Sequence, residues 1–227
     1  PPPPPPPPLF FLSPTRHYPI LSGLVGSEMC IRDSFTIPLL IVVLLGLNMI
    51  RGFSNTKLER PVYTLLKNSG SFQVRKYTPM VIARTLVDSE FKESTYTGFR
   101  RIANYIFGGN SKNMEIAMTA PVISNSPVDV KDSYEIAFVM PRSHDLETLP
   151  NPDNPDVQII ERNLGMVAVI SFGGWATESR VEHYHHKLKE WAKKENYVLK
   201  GSFMVAQYNS PWILPPFRHN EIMVQVD

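Results

Sequence analysis

The order of apolar and polar positions predicts a folded region over about residues 58–227. Phe72–Tyr77 alternates apolar and polar residues, which is typical of a half-buried strand, and Met80–Ala83 continues as a second strand. Helical spacing follows over Glu93–Phe107, and Gly108-Gly109-Asn110 predicts the end of that helix. This stretch therefore indicates two strands followed by a helix.

The same order of elements returns in the second half of the folded region. Strand-like runs at 157–160 and 166–170 precede a helix-like stretch over Glu178–Glu195. The apolar positions of the two helices match at a constant offset of 85 residues, pairing Tyr96, Phe99, Ala103 and Ile106 with Val181, Tyr184, Leu188 and Trp191. Repeated strand–strand–helix–strand units, over about residues 62–122 and 156–210, predict an α+β fold of two pseudo-twofold repeats. We expect a distorted β-barrel or curved antiparallel sheet flanked by two helices.

Residues 1–57 do not share this pattern. Residues 1–34 begin with eight prolines and are similar to translated adapter sequence, with a disordered natural tail as the alternative. The segment 35–53 contains the apolar run Leu39–Leu47, whose length lies between that of a secretory signal core and that of a membrane span. It predicts a signal peptide or a short anchor, with a buried element of the domain as the alternative. We then expect the chain to enter the secretory pathway or to associate with a membrane through Phe35–Ile50. The alternative locations are the cytoplasm and the chloroplast.

Charge and cysteine usage exclude several classes of protein. The formal net charge is only +2, and basic residues are mixed with acidic ones. The sequence therefore has no basic stripe for nucleic acid, and we expect no such partner. The single cysteine, Cys30, cannot form a disulfide framework or a cysteine-based metal site within one chain.

The sequence lacks the usual catalytic motifs. G-x-S-x-G and H-E-x-x-H are absent, and Gly108–Lys112 follows a helix and lacks the spacing of a phosphate-binding loop. His183, His185 and His186 form a cluster that fits a weak metal site or a solvated helix face. The solvated face fits better, because apolar residues already occupy the inward side. We predict a protein that is not an enzyme and has no metal site of its own.

Two apolar runs are better candidates for function. Met114 and Met118 in the run Met114–Val122 would pack in the core, line a pocket or ligate the iron of a cofactor, and packing is the commoner use of methionine. The run Pro211–Pro216 restrains a loop with several apolar side chains, and Arg218 follows it. Such a loop forms a binding rim or folds back onto the domain, and both interpretations stay open.

Five parts of the folded region form a recognisable set: Val74–Tyr77, Ala103–Asn110, Met114–Val122, Phe138–Pro141, and Tyr208–Pro211 with Asn220–Ile222. Together, and in this order, they resemble the SOUL haem-binding protein family over about residues 60–227. The resemblance implies a distorted barrel of two repeated halves flanked by two helices. It also implies non-covalent binding of haem or another tetrapyrrole rather than catalysis.

The resemblance implies a site as well. In some members a histidine before the tyrosine of the first strand is the proposed iron ligand, but Lys76 precedes Tyr77 here, which excludes histidine ligation at this place. Other members hold haem without a strong axial ligand, in a shallow hydrophobic groove between the first helix and the loop before the last strand. Carried over, the groove residues are Tyr96, Phe99, Arg100, Ala103, Phe107, Trp212, Leu214, Phe217 and Arg218.

Three functions fit these observations. The first is a haem or porphyrin carrier, buffer or sensor that uses apolar burial and basic contacts to carboxylates. The second is a protein-interaction module that uses the same groove for a protein partner. The third is an effector-binding or hydrolase-like small-molecule module, which has least support because the sequence shows no nucleophile–base pair.

Overall fold

The computed structural model describes residues 58–210 and 212–227, and Leu58–Asp227 forms one compact unit. The adapter-like residues 1–34 and the predicted targeting segment 35–53 lie outside the described residues. In chain order the elements are β1 (Tyr63–Ser69), β2 (Phe72–Tyr77), β3 (Met80–Val87), α1 (Phe91–Ile106), β4 (Val122–Asn125), β5 (Tyr134–Val139), β6 (Val157–Arg162), β7 (Met166–Phe172), α2 (Glu178–Lys194), β8 (Leu199–Gln207) and β9 (Asn220–Val226). Within the described ranges, no helix is long and apolar enough to cross a membrane.

The strands form one antiparallel sheet in the order β1-β2-β7-β9-β8-β4-β5-β3-β6 within the described part of the chain. The units β2-β3-α1-β4-β5 and β6-β7-α2-β8-β9 occupy matching places on either side of the boundary between β8 and β4. Each unit has a second strand after its helix, one more than the predicted strand–strand–helix–strand repeat contains. The α+β fold with a curved antiparallel sheet, two pseudo-twofold repeats and two helices is confirmed. The sheet stays open, with β1 and β6 at its edges, rather than closing into a barrel.

Each face of this sheet carries a buried core. Successive residues of a strand point to opposite faces. On the outer face, Val74 and Ile170 belong to a large core beneath the helices. On the inner face, Tyr77, Val169 and Met223 belong to a second core that includes side chains from both repeats. Because β9 is buried on both sides, it lacks the alternation of a strand with one solvated face.

The helix α1 lies very close to the sheet because Gly98 faces Ile136 of β5. A Cβ atom at Gly98 would lie 2.4 Å from the Cγ1 atom of Ile136, so the contact requires glycine. Ile102 and Ile106 are buried on the same face, whereas Tyr96 is 60% exposed. The predicted apolar stripe of α1 is thus correct at Ile106 and wrong at Tyr96.

The helix α2 packs on β7, β8 and β9. Val181 and Leu188 are completely buried, as their spacing predicts. Tyr184 and Trp191 belong to the same predicted stripe but are only half-buried. The Trp191 ring stacks on that of Phe72 in β2, with 5.0 Å between the ring centres. Two aromatic side chains therefore stand at the edge of the interface between α2 and the sheet.

Candidate functional site

Five of the nine residues carried over from the family resemblance lie on α1 or directly after it. Tyr96, Arg100 and Phe107 are exposed, and the Arg100 guanidinium lies 5.7 Å from the centre of the Tyr96 ring. Ala103 is half-buried, and Phe99 packs its ring against the outer face of β5. The outer side of α1 therefore exposes Tyr96, Arg100 and Phe107, while Phe99 contributes to the core.

The other four residues lie in the loop before β9. The exposed fractions of Trp212, Leu214 and Phe217 are 83%, 57% and 65%. Within its described residues this segment is irregular except for a short 3₁₀ turn at Pro215–Phe217. Three large, exposed apolar side chains on one short loop form a surface that water solvates poorly.

Arg218 supports this loop from within the molecule. Its Nε atom donates to the Ile213 carbonyl at 2.9 Å, and its Nη2 atom donates to the Ser210 carbonyl at 3.1 Å. The guanidinium also lies 3.7 Å from the centre of the Trp175 ring, and burial lowers the pKa of Arg218. These contacts give Arg218 a part in fixing the loop that carries the exposed aromatics.

Strand register brings this loop and the end of α1 to the same end of the molecule. Phe107 forms an isolated bridge with the segment that leads to Val122 at the start of β4. Val122 pairs with Gln207 of β8, and Gln207 pairs with Asn220, where the loop enters β9. Tyr96 lies farther along α1, roughly 16 Å from Phe107 by the helical rise. We name the exposed residues of α1 and of this loop the α1–loop surface.

A second apolar surface lies where α2 meets β2 and β7, and we name it the α2 groove. It encloses about 370 Å³. Phe72 and Ile170, which are register partners in β2 and β7, form its floor. Tyr184 and Trp191 form its two ends, seven residues and roughly 10 Å apart along the helix. Their spacing leaves an open slot above an apolar floor.

Charged side chains surround the α2 groove. Lys187 and Lys194 lie at its rim, and the Lys187 Nζ atom is 5.4 Å from the centre of the Tyr184 ring. In the described residues neither lysine forms an ion pair, and Glu190 is the carboxylate among the lining side chains. The lining residues therefore carry a net charge of about +1 at neutral pH.

The opposite face of the same strands contains a polar cavity of about 250 Å³, which we name the inner pocket. Arg75 of β2 and Glu221 of β9 form a bidentate ion pair there, with nitrogen–oxygen distances of 2.9 and 2.7 Å. Their side chains are only 5% and 1% exposed. Glu221 also accepts hydrogen bonds from the hydroxyls of Tyr208 and Ser171, and it contacts Nε2 of His219 at 3.1 Å. The carboxylate is therefore fully engaged.

The electrostatics of the inner pocket hold these groups in one protonation state. Burial alone would raise the pKa of Glu221, but hydrogen bonds from His219 and Arg75 outweigh burial and lower this pKa to about 2. Burial raises the pKa of Tyr77 to about 12, and it raises the pKa of Tyr208 as well. A general acid or base needs a pKa near the working pH, so this cluster is poorly suited to proton transfer.

The histidines and methionines that the sequence offers as metal ligands lie either on the surface or in the packed core. His183 and His186 are exposed, whereas His185 is buried with its ring 3.8 Å from that of Phe203. Met114 and Met118 pack against the outer core. Among residues 58–210 and 212–227, no group of three or more His, Cys, Asp or Glu side chains is placed to hold a metal ion.

The α+β fold with exposed apolar surfaces is typical of a protein that binds a small apolar ligand, and comparison with known families agrees with this class. The SOUL heme-binding protein family matches residues 58–225, which is nearly the whole described unit. The chain belongs to this family.

Among its relatives, heme-binding protein 2 of Mus musculus is 29% identical, over 78% of this chain and 90% of that protein. Heme-binding protein 2 of Homo sapiens is 31% identical, over 67% and 77%. Heme-binding protein 1 of Xenopus laevis is 26% identical, over 69% and 84%. The chain thus spans most of the length of each of these relatives.

Solved structures share the fold at low sequence identity. A hydrolase from Listeria innocua superimposes with a TM-score of 0.52 at 9% identity, over 71% of this chain and 94% of that one. EcmrR in a complex with DNA superimposes with a TM-score of 0.55 at 11% identity, over 89% and 73%. These similarities establish the architecture alone.

Sequence reasoning missed the α2 groove and the inner pocket. The signal for the inner pocket is Arg75 on the polar face of the alternating strand β2, together with Glu221 at the start of the mainly apolar strand β9. The signal for the groove is a pair of lysines, Lys187 and Lys194, that repeats the seven-residue spacing of the aromatics Tyr184 and Trp191. Both signals gain their meaning only when the neighbouring strand is known.

Proposed function

We propose that this chain binds haem or a related tetrapyrrole non-covalently, as a carrier, buffer or sensor, and catalyses no reaction. The observation that carries the proposal is family membership across the described unit, with relatives that are named heme-binding proteins. The structure offers the kind of surface that such a ligand needs. Burial of a macrocycle on apolar side chains is worth about 25 cal/mol per Å².

The state of the inner pocket supports a non-catalytic role. A nucleophile needs a base within hydrogen-bonding reach, but the Ser171 hydroxyl donates to Glu221, whose lone pairs are already engaged by Arg75 and Tyr208. The same carboxylate keeps its charge at any pH near neutrality. This polar cavity is therefore organised for rigidity rather than for turnover.

The proposed ligand site is the α1–loop surface. Tyr96, Arg100 and Phe107 would contact the ligand together with Trp212, Leu214 and Phe217, while Phe99, Ala103 and Arg218 would hold these elements in place. Lys76, at the position of the histidine seen in some members, is exposed on β2. We therefore propose binding without a strong axial ligand, so metal-free protoporphyrin should bind within a few-fold of hemin.

A titration of the full chain with hemin, followed by the Soret band, tests this proposal. Phe107 and Leu86 are exposed to similar extents, 62% and 58%, but only Phe107 belongs to the proposed surface. Phe107→Ser should weaken hemin binding about tenfold, because an aromatic contact of about 1.5 kcal/mol is lost, and Leu86→Ser should leave it unchanged. The absence of any saturable Soret change at micromolar hemin would reject the function; equal affinities of the two variants would reject the site.

Two further proposals concern partners and location. The exposed Trp212, Leu214 and Phe217 also suit a protein partner, which would compete with hemin for the same surface.

The segment Phe35–Ile50 is proposed to direct the chain to the secretory pathway or to a membrane. Fractionation of cells that express the chain with and without residues 35–50 tests the second proposal, because an unchanged distribution would refute it.

A further inference from the structure

The α2 groove combines features that the function above does not use. Its floor and ends are apolar, and its rim carries Lys187 and Lys194. Its helix, α2, belongs to the second repeat, whereas α1 belongs to the first. The two apolar surfaces therefore lie on different helices and can be changed independently.

We propose that the α2 groove is a second binding site for a tetrapyrrole, with the macrocycle on the aromatic slot and its carboxylates at the two lysines. This inference rests on the proposed function and adds a site to it. The ligand class is a flat apolar ring system that carries carboxylates along one edge, such as protoporphyrin or haem.

The shape of the groove suits a flat ligand. The rings of Phe72 and Trp191 are nearly parallel, at 10°, and the rings of Tyr184 and Phe172 are at 17°. Each end of the slot is therefore an aromatic side chain whose orientation a stacked neighbour fixes. Fixed rings lose little side-chain entropy on binding, and flat π-systems pack on them without reorganisation.

The charges of the groove suit a ligand with two carboxylates. Lys187 and Lys194 are separated by seven residues and so lie on the same side of α2, two turns apart. The nearby Lys67 is already bound to Glu195, which leaves the two rim lysines to meet carboxylates. A positively charged apolar peptide would be repelled, because the lining residues carry net positive charge.

Charge reversal on one side of the helix provides a matched test. Lys187→Glu with Lys194→Glu alters the rim, whereas Lys189→Glu with Lys193→Glu makes the same change on exposed positions of α2 that do not line the groove. In hemin titrations of the full chain, we expect two binding components. The first double variant should weaken one of them about tenfold, and the second should retain both.

A histidine placed in the groove gives a spectroscopic test. Glu190 lines the groove and Glu182 does not, although both are exposed on α2. With hemin bound in the slot, Glu190→His should supply an axial ligand and shift the Soret maximum, while Glu182→His should leave the spectrum unchanged.

The outcomes separate the inference from the function on which it rests. Saturable hemin binding with equal titrations for the two lysine double variants, and no Soret shift in Glu190→His, would overturn the second site and leave the α1–loop proposal intact. A complete absence of saturable hemin binding in the unaltered chain would overturn both. Phe107→Ser should leave the component that depends on Lys187 and Lys194 unchanged.

Discussion

The α2 groove and the inner pocket lie back to back on the same strands, yet they differ in every respect that matters for binding. Phe72 and Ile170 face the groove, while their chain neighbours Gln73 and Ser171 face the inner pocket. The pocket contains more polar groups, but Glu221 has a partner for each of its oxygens. The groove contains aromatic edges and two lysines that form no ion pair with any described residue. A binding surface is therefore better recognised by side chains that lack partners within the protein than by the number of polar groups it contains.

The energetic roles of the two surfaces follow from this difference. Burying a charged pair costs several kcal/mol of desolvation, which is recovered only when geometry and additional hydrogen bonds are good. The Arg75–Glu221 pair meets that condition through its bidentate geometry and the Tyr208 hydroxyl. Substitutions in the inner pocket should therefore change the free energy of unfolding, whereas substitutions in the groove should change the affinity for hemin.

The substitution Glu221→Gln should have the largest effect, because it leaves Arg75 as a buried charge without its partner. We expect the free energy of unfolding to fall by about 3–5 kcal/mol, as measured by urea denaturation. Glu190→Gln, the same change at the groove, should alter stability by less than about 0.5 kcal/mol. A loss below about 1 kcal/mol for Glu221→Gln would show that Arg75 is not confined as the structure describes.

Acid should act on the inner pocket through the same carboxylate. The pKa of Glu221 is lowered from 4.5 to about 2 in the folded state, so its contribution is complete above pH 4.5 and is lost as the pH falls toward 2. The shift corresponds to about 3 kcal/mol. Urea denaturation between pH 5 and pH 2 should therefore show that the stability difference between the unaltered chain and Glu221→Gln narrows by about this amount. A constant difference across that range would contradict the assigned pKa.

The two helices show how far the sequence predicts this fold and where it stops. On α2, the spacing of Val181 and Leu188 identifies the buried face correctly, because large aliphatic side chains make that contact. On α1, a close contact with the sheet is made at Gly98, whose lack of a side chain permits the approach to Ile136. A reading of apolar periodicity passes over glycine, so it places Tyr96 on the wrong side of the helix.

The candidate sites were predictable to different degrees for a related reason. For the proline-restrained run before β9, the sequence leaves an exposed rim and a loop folded back onto the domain as equal alternatives, and the structure exposes Trp212 and Phe217. The ion pair between Arg75 and Glu221 could not be predicted in the same way. It forms because β7 brings β2 and β9 together, and its two residues are 146 positions apart in the chain. Period-two alternation in β2 predicts a polar face, but whether that face meets water or a second core depends on the curvature of the sheet.

The smallest predicted effect is a change in hemin affinity caused by a substitution in the α2 groove. Glu190 is the carboxylate among its lining residues, so Glu190→Gln should remove repulsion toward the ligand's carboxylates and tighten hemin binding by about two- to fivefold. Glu182→Gln makes the same change on an exposed part of α2 outside the groove and should have no effect. Titrations at low and high salt should show that the gain disappears as charges are screened. Equal tightening by both variants would mean that hemin responds to the overall charge of the helix rather than to this slot.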